Sequence, residues 1–200
     1  MVLGYHLIIT AYGFWLPNDP RGSWSDFVGA WELLRFGQAT KTESRKSVAS
    51  RPHDTQTRLA AKKVLQYPEV HFTGIQARTI GHGFEEFAQR SGLNIWACSI
   101  LPEHVHMVIA RHRYKVEQVA NLLKGAATKA LIEDKIHPFG KYLTEQGRPP
   151  KTWAQGQWKV FLDCEKDIHR AIRYVEDNPL KEGKARQHWR FVTKYIGINN

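Results

Sequence analysis

The stretch IWACSILPEHVHMVIA, residues 95–110, decides the architecture. Ile95 to Leu101 reads as a strand, Pro102-Glu103 as a tight connection and His104 to Ala110 as a second strand. Upstream, Tyr5 to Thr10 (YHLIIT) is a short Ile-rich run that reads as another strand. Thr73 and Gln76 have capping-box spacing, and Ile80, Phe84, Phe87 and Ala88 then recur at helical spacing up to Ser91-Gly92. Downstream, Val116, Val119, Ala120, Leu123, Ala127, Ala130 and Leu131 trace the apolar stripe of a long helix that ends before Pro138. Trp158 to Leu162 reads as a further strand. Asp163 is placed to cap a last helix with Ile168, Ala171, Ile172 and Val175 on one face, which the Asn178-Pro179 pair should end. The order strand, helix, strand, strand, helix, strand, helix predicts an α+β fold, an antiparallel sheet with helices packed against it.

A length of 200 residues suits a single domain, and 42% hydrophobic residues suffice for a core. The polar segment from about 25 to 67 reads as an insertion, partly mobile and helical near Thr57 to Leu65, and YGFWLPNDPRGSW before it as a loop or successive turns. No apolar run is long enough to span a bilayer, so no membrane partner is expected, and the N-terminus lacks a signal-peptide pattern. A cytoplasmic protein is the default expectation. Cys98 and Cys164 have no metal-type spacing, which argues against both a disulfide and a structural zinc. The 29 Lys and Arg against 19 Asp and Glu leave a formal charge of +10, which favours a polyanionic partner because each cation laid on a phosphate releases counterions. Charge alone also fits plain solubility.

Side chains alternate along a strand, so His104 and His106 point the same way, with Val105 on the other face. Such a pair suits a divalent cation, although His-x-His is common on strands that bind nothing. Tyr174 and Asn178 stand four apart on the last helix and share a face, with Tyr174 to the side of the apolar stripe. That is equally the place of an amphipathic tyrosine at a core edge. On the long helix, Asn121, Lys124, Thr128 and Lys135 fall on one polar stripe, and Gly125 offers room for close backbone approach. A solvated helix face would look the same.

Taken in this order, CSILPEHVHMVIA, LLKGAAT (residues 122–128), WAQGQW (residues 153–158) and RYVEDNPL (residues 173–180) resemble the single-tyrosine HUH transposases, specifically the REP-associated tyrosine transposases. The resemblance covers roughly residues 72–183 and departs from short family members in the long segment from 25 to 67. It implies a ferredoxin-like HUH endonuclease sandwich. It implies further that His104, His106 and Asn178 hold a divalent metal, Mg²⁺ or Mn²⁺, that Tyr174 is the nucleophile, and that the helix carrying Lys124, Asn121 and Thr128 contacts DNA. The implied substrate is single-stranded DNA, often beside a hairpin, joined to the protein through a 5′-phosphotyrosine. A homodimer is compatible with it, with Tyr174 serving its own subunit's metal or a partner's. Two rival readings use the same residues: a nucleic-acid-binding regulator without catalysis, and a metal-dependent phosphoesterase that needs no tyrosine.

Overall fold

The computed structural model describes residues 1–14, 16, 31–37 and 54–197. Among the described residues there are four strands, β1 (Gly4–Thr10), β2 (Ile95–Ile100), β3 (His104–Ala110) and β4 (Trp158–Leu162). The α-helices are α1 (Thr55–Lys63), α2 (Gly74–Ser91), α3 (Val116–Glu133) and α4 (Glu165–Lys181). The strands form one sheet in the order β2-β3-β1-β4, antiparallel at every pairing. The fold is α+β, as the periodicities predict.

Alternation on the two central strands divides the core. Leu7 and Ile9 of β1, opposite Met107 and Val105 of β3, point to one face and join α2 and α3 in the main cluster. Val108, with Ala97 and Leu162, points to the other face and packs under Ile168, Ala171 and Val175 of α4. Helices thus cover both faces, with α4 alone over the face that carries His104 and His106. No described helix is long and apolar enough to cross a membrane.

Helix α2 starts as its sequence dictates: Thr73 Oγ1 accepts from Gln76 N at 3.2 Å, and Gln76 Oε1 accepts from Thr73 N at 2.9 Å. Other local expectations need correction. The residue at the N-terminal cap of α4 is Cys164, not Asp163, and no side chain caps that end; Glu165 and Asp167 in the first turn complement the helix dipole instead. Nor does Asn178-Pro179 end α4, which runs on to Lys181 with Pro179 inside. The bias before a proline is a local preference, and here the burial of both residues against the sheet overrides it. The close approach on α3 is not at Gly125, where a Cβ would meet nothing. It is at Gly83 of α2, where a Cβ would lie 2.7 Å from the Ala126 carbonyl oxygen. Lys135 lies past the end of α3 with a positive φ of 58°.

Within the predicted insertion, Trp31–Phe36 forms a 3₁₀ helix and Thr55–Lys63 an α-helix capped by Asp54, close to the helix expected from Thr57 to Leu65. The mobile character expected of its centre, and most of the loop after Tyr12, lie outside the described residues.

Candidate active site

The site is built on three neighbouring strands. In the register of the sheet, His104 stands opposite Thr10 of β1, and His106 stands between Ile8 of β1 and Ser99 of β2. Alternation puts both imidazoles on the α4 face, with ring centres 4.9 Å apart. A rung further, opposite Val108, is His6 of β1, whose Nε2 lies 3.0 Å from His106 Nδ1. Phe14 packs beside His104, ring centres 5.1 Å apart.

Helix α4 lays Tyr174 over this row. The Tyr174 ring centre is 5.5 Å from those of both His6 and His106. The phenol ring remains 43% exposed, so it borders an open cleft while resting on the two imidazoles. Asn178, one turn later on the same helix face, is buried. Its amide nitrogen lacks a hydrogen-bond partner, as do the buried hydroxyls of Thr10 and Ser99, the residues opposite His104 and His106. Buried polar groups without partners are uncommon and cluster where a ligand or ion belongs.

Burial sets the protonation states. Desolvation pushes His6 down to about 4. It also holds His106 well below its ordinary value, helped by His6, His104 and Lys181 nearby. The two imidazoles are therefore neutral at pH 7, the form that can coordinate a metal. Burial raises the Tyr174 phenol, so attack by it needs help with the charge that develops.

Among the described residues, no three His, Cys, Asp or Glu side chains gather as a metal group. A cation at His104 and His106 thus needs neutral donors beyond the two imidazoles, and the amide of Asn178 is of that kind. Two imidazoles with amide and water oxygens suit Mn²⁺ or Mg²⁺ in chemical type. On this donor set, and with unpartnered polar atoms around it, the residues present fit the metal that the sequence implied.

The α3 residues are elsewhere. Helix α3 packs on the opposite face of the sheet, with Val119, Ala120 and Leu123 in the main core. Lys124 is not on a solvated stripe: it is 9% exposed and donates to the carbonyls of Ala154, at 2.9 Å, and Gly156. Thr128 Oγ1 accepts from Trp153 Nε1 at 3.2 Å and donates to the Lys124 carbonyl at 2.8 Å. Asn121 is exposed. The structure therefore unites His104, His106 and Tyr174, sets Asn178 in the adjoining turn, and keeps Asn121, Lys124 and Thr128 apart from them.

Sequence reasoning passed over His6, Thr10, Ser99 and Lys181. His6 had a signal, a lone histidine in the apolar strand YHLIIT. The two hydroxyls become conspicuous only through cross-strand register.

No protein-family model matches the chain, and no curated protein matches it. Among solved structures, one described as the REP-associated tyrosine transposase bound to a REP hairpin is similar at 13% sequence identity, covering 94% of this chain and 74% of that one with a TM-score of 0.47.

Proposed function

We propose that this protein is a metal-dependent single-stranded DNA endonuclease and strand transferase of the single-tyrosine HUH type. The observation that carries the reading is the seat of the Tyr174 ring, 5.5 Å from the His106 ring, on the face that also presents His104. A hydrolase using only the histidines has no need of a phenol held there.

In this reading the Tyr174 oxygen attacks a backbone phosphorus. A Tyr–O–P bond forms, the bond to the 3′ oxygen breaks, the phenol loses its proton, and a 3′-hydroxyl leaves after gaining one. The phosphotyrosine keeps the bond energy for rejoining. Helix α4 and the flanking imidazoles of His6 and His106 limit where the phenol can swing. A divalent cation held by His104, His106 and Asn178 would supply charge stabilisation at a non-bridging phosphate oxygen. The Lys181 ammonium, 4.1 Å from the Tyr174 ring centre, adds positive charge where the phosphate must lie. The overall charge of +10 fits a DNA partner, with hairpin-flanked single strands as the proposed substrate and Asn121 as an exposed candidate contact on α3.

The test is incubation with end-labelled single-stranded DNA and Mn²⁺, followed by denaturing electrophoresis. A protein–DNA adduct that resists denaturant and is lost in Tyr174→Phe is the expected result. Cleavage without an adduct would replace this reading with a phosphoesterase. Binding without cleavage would leave a nucleic-acid-binding regulator.

A further inference from the structure

Strand β1 brings to the site a side chain that the proposed chemistry does not use. The 3.0 Å separation of His6 Nε2 and His106 Nδ1 is a hydrogen-bond distance, and one of the two nitrogens must carry the proton. His6 belongs to the Val108 rung, so His106 stands between it and His104. It is therefore on the wrong side to share a cation with His104, in keeping with the absence of a three-residue metal group among the described residues.

We infer that His6 is a positioning residue: it accepts a hydrogen bond from His106 Nδ1–H and so fixes the tautomer that leaves His106 Nε2 open to a cation. This rests on the metal reading of the proposed function. The proton count is complete with both rings neutral. His106 carries its proton on Nδ1, and His6 accepts with Nε2 and carries its own proton on Nδ1. An imidazole that ligates through one nitrogen is commonly oriented by an acceptor at the other, and such acceptors are usually carboxylates or backbone carbonyls. Here a second imidazole takes that place, and the Tyr174 ring, 5.5 Å from the His6 ring centre, covers it. One residue thus touches the proposed ligand and the proposed nucleophile together.

The test uses two readouts on the full chain. Nitrogen-15 NMR of the metal-free wild type should show His106 protonated on Nδ1, with Nε2 bare. Protonation on Nε2 instead would overturn the inference. Calorimetry with Mn²⁺ should then show affinity falling about 10- to 100-fold in His6→Ala, the usual effect of losing an outer partner. His6→Gln, whose amide oxygen can accept the same hydrogen bond, should recover most of that loss and keep the His106 tautomer. Wild-type affinity in His6→Ala, or equal losses in both variants, would reduce His6 to a packing residue. A wild type that binds no Mn²⁺ would remove the metal reading, while the tautomer, measured without metal, would still decide the positioning role.

Discussion

Lys181 Nζ lies 4.1 Å from the centre of the Tyr174 ring, the two residues being two turns apart on one side of α4. The ammonium fixes the ring from its exposed side, while His6 and His106 border it from the sheet. A cation–π contact at an exposed lysine contributes about 0.5–1 kcal/mol, which corresponds to roughly a two- to fivefold change in rate. Lys181→Met should slow single-turnover adduct formation by about that factor, or more where the charge also meets phosphate, and should leave the circular dichroism unchanged. A wild-type rate would remove Lys181 from the site.

Tyr174→Phe should abolish the covalent adduct and leave affinity for single-stranded DNA close to wild type. The substitution removes one oxygen from a ring that is 43% exposed, and no charge. Fluorescence anisotropy with labelled DNA measures binding, and gel analysis measures the adduct. Persistent adduct would mean that another side chain attacks.

Lys124 gives a prediction about the fold. Its ammonium lies among apolar α3 residues, and desolvation pushes its pKa down to about 8. Bound to the carbonyls of Ala154 and Gly156, it ties α3 to the segment before β4. That segment also bonds to the end of β1, where Ala154 N donates to the Thr10 carbonyl at 2.9 Å, on the rung of His104. Lys124→Ala leaves two carbonyls without their donor, at a cost of about 1–3 kcal/mol in stability. Urea unfolding should show that loss, while the salt dependence of DNA binding stays unchanged. A salt slope flatter by about one unit would instead mark Lys124 as a phosphate contact.

These assignments show which parts of the molecule are written locally in the sequence. The strand alternation of YHLIIT and HVHMVIA, the capping box at Thr73 and the apolar stripe of α3 are short-range patterns, and each produced the element it predicts. Lys124 misled because a helical wheel shows which face a side chain leaves from and not what lies there; a loop thirty residues away folds back over it. Pro179 misled because the local cost of a proline was weighed without the packing that holds α4 to the sheet. The last stretch of the chain has no periodic signal, yet Gln187 bonds both the N–H and the carbonyl of Ile100, at 2.7 and 2.8 Å, and Thr193 N donates to the Ile95 carbonyl. These contacts occupy backbone groups on the outer edge of β2, a pairing that becomes visible only once the sheet order is known.

Acid should destabilise the metal-free protein over a defined window. His6 has a folded-state pKa of about 4 against 6.5 for the ordinary group, and burial shifts His106 in the same direction. The unfolded chain therefore takes up these protons first, so stability is complete above pH 6.5 and is lost as pH falls toward 4. Thermal unfolding between those limits should show Tm falling with pH, and less steeply in His6→Gln, which lacks one of the two groups. Parallel profiles for wild type and variant would show that His6 does not carry this dependence.

The two kinds of proposed metal donor should separate under mutation. His106→Ala removes an imidazole whose protonation and orientation the site fixes, and leaves His6 Nε2 without its partner. Affinity for Mn²⁺ should fall by more than the roughly 10- to 100-fold that loss of an outer partner brings, and cleavage should stop at ordinary metal concentration. Asn178→Ala removes a neutral amide, which water can replace as a ligand, so affinity should fall less and excess Mn²⁺ should restore part of it. The stability effect should also be small for a buried polar residue, because the Asn178 amide nitrogen has no hydrogen bond to lose. Since Asn178 is one turn from Tyr174, its loss can also displace the phenol, and metal titration distinguishes the two effects. Recovery of both binding and rate at high Mn²⁺ identifies Asn178 as a ligand; recovery of binding alone identifies it as a support for Tyr174. Wild-type Mn²⁺ affinity in His106→Ala would refute the metal site, and with it the enzymatic reading built on His104, His106 and Asn178.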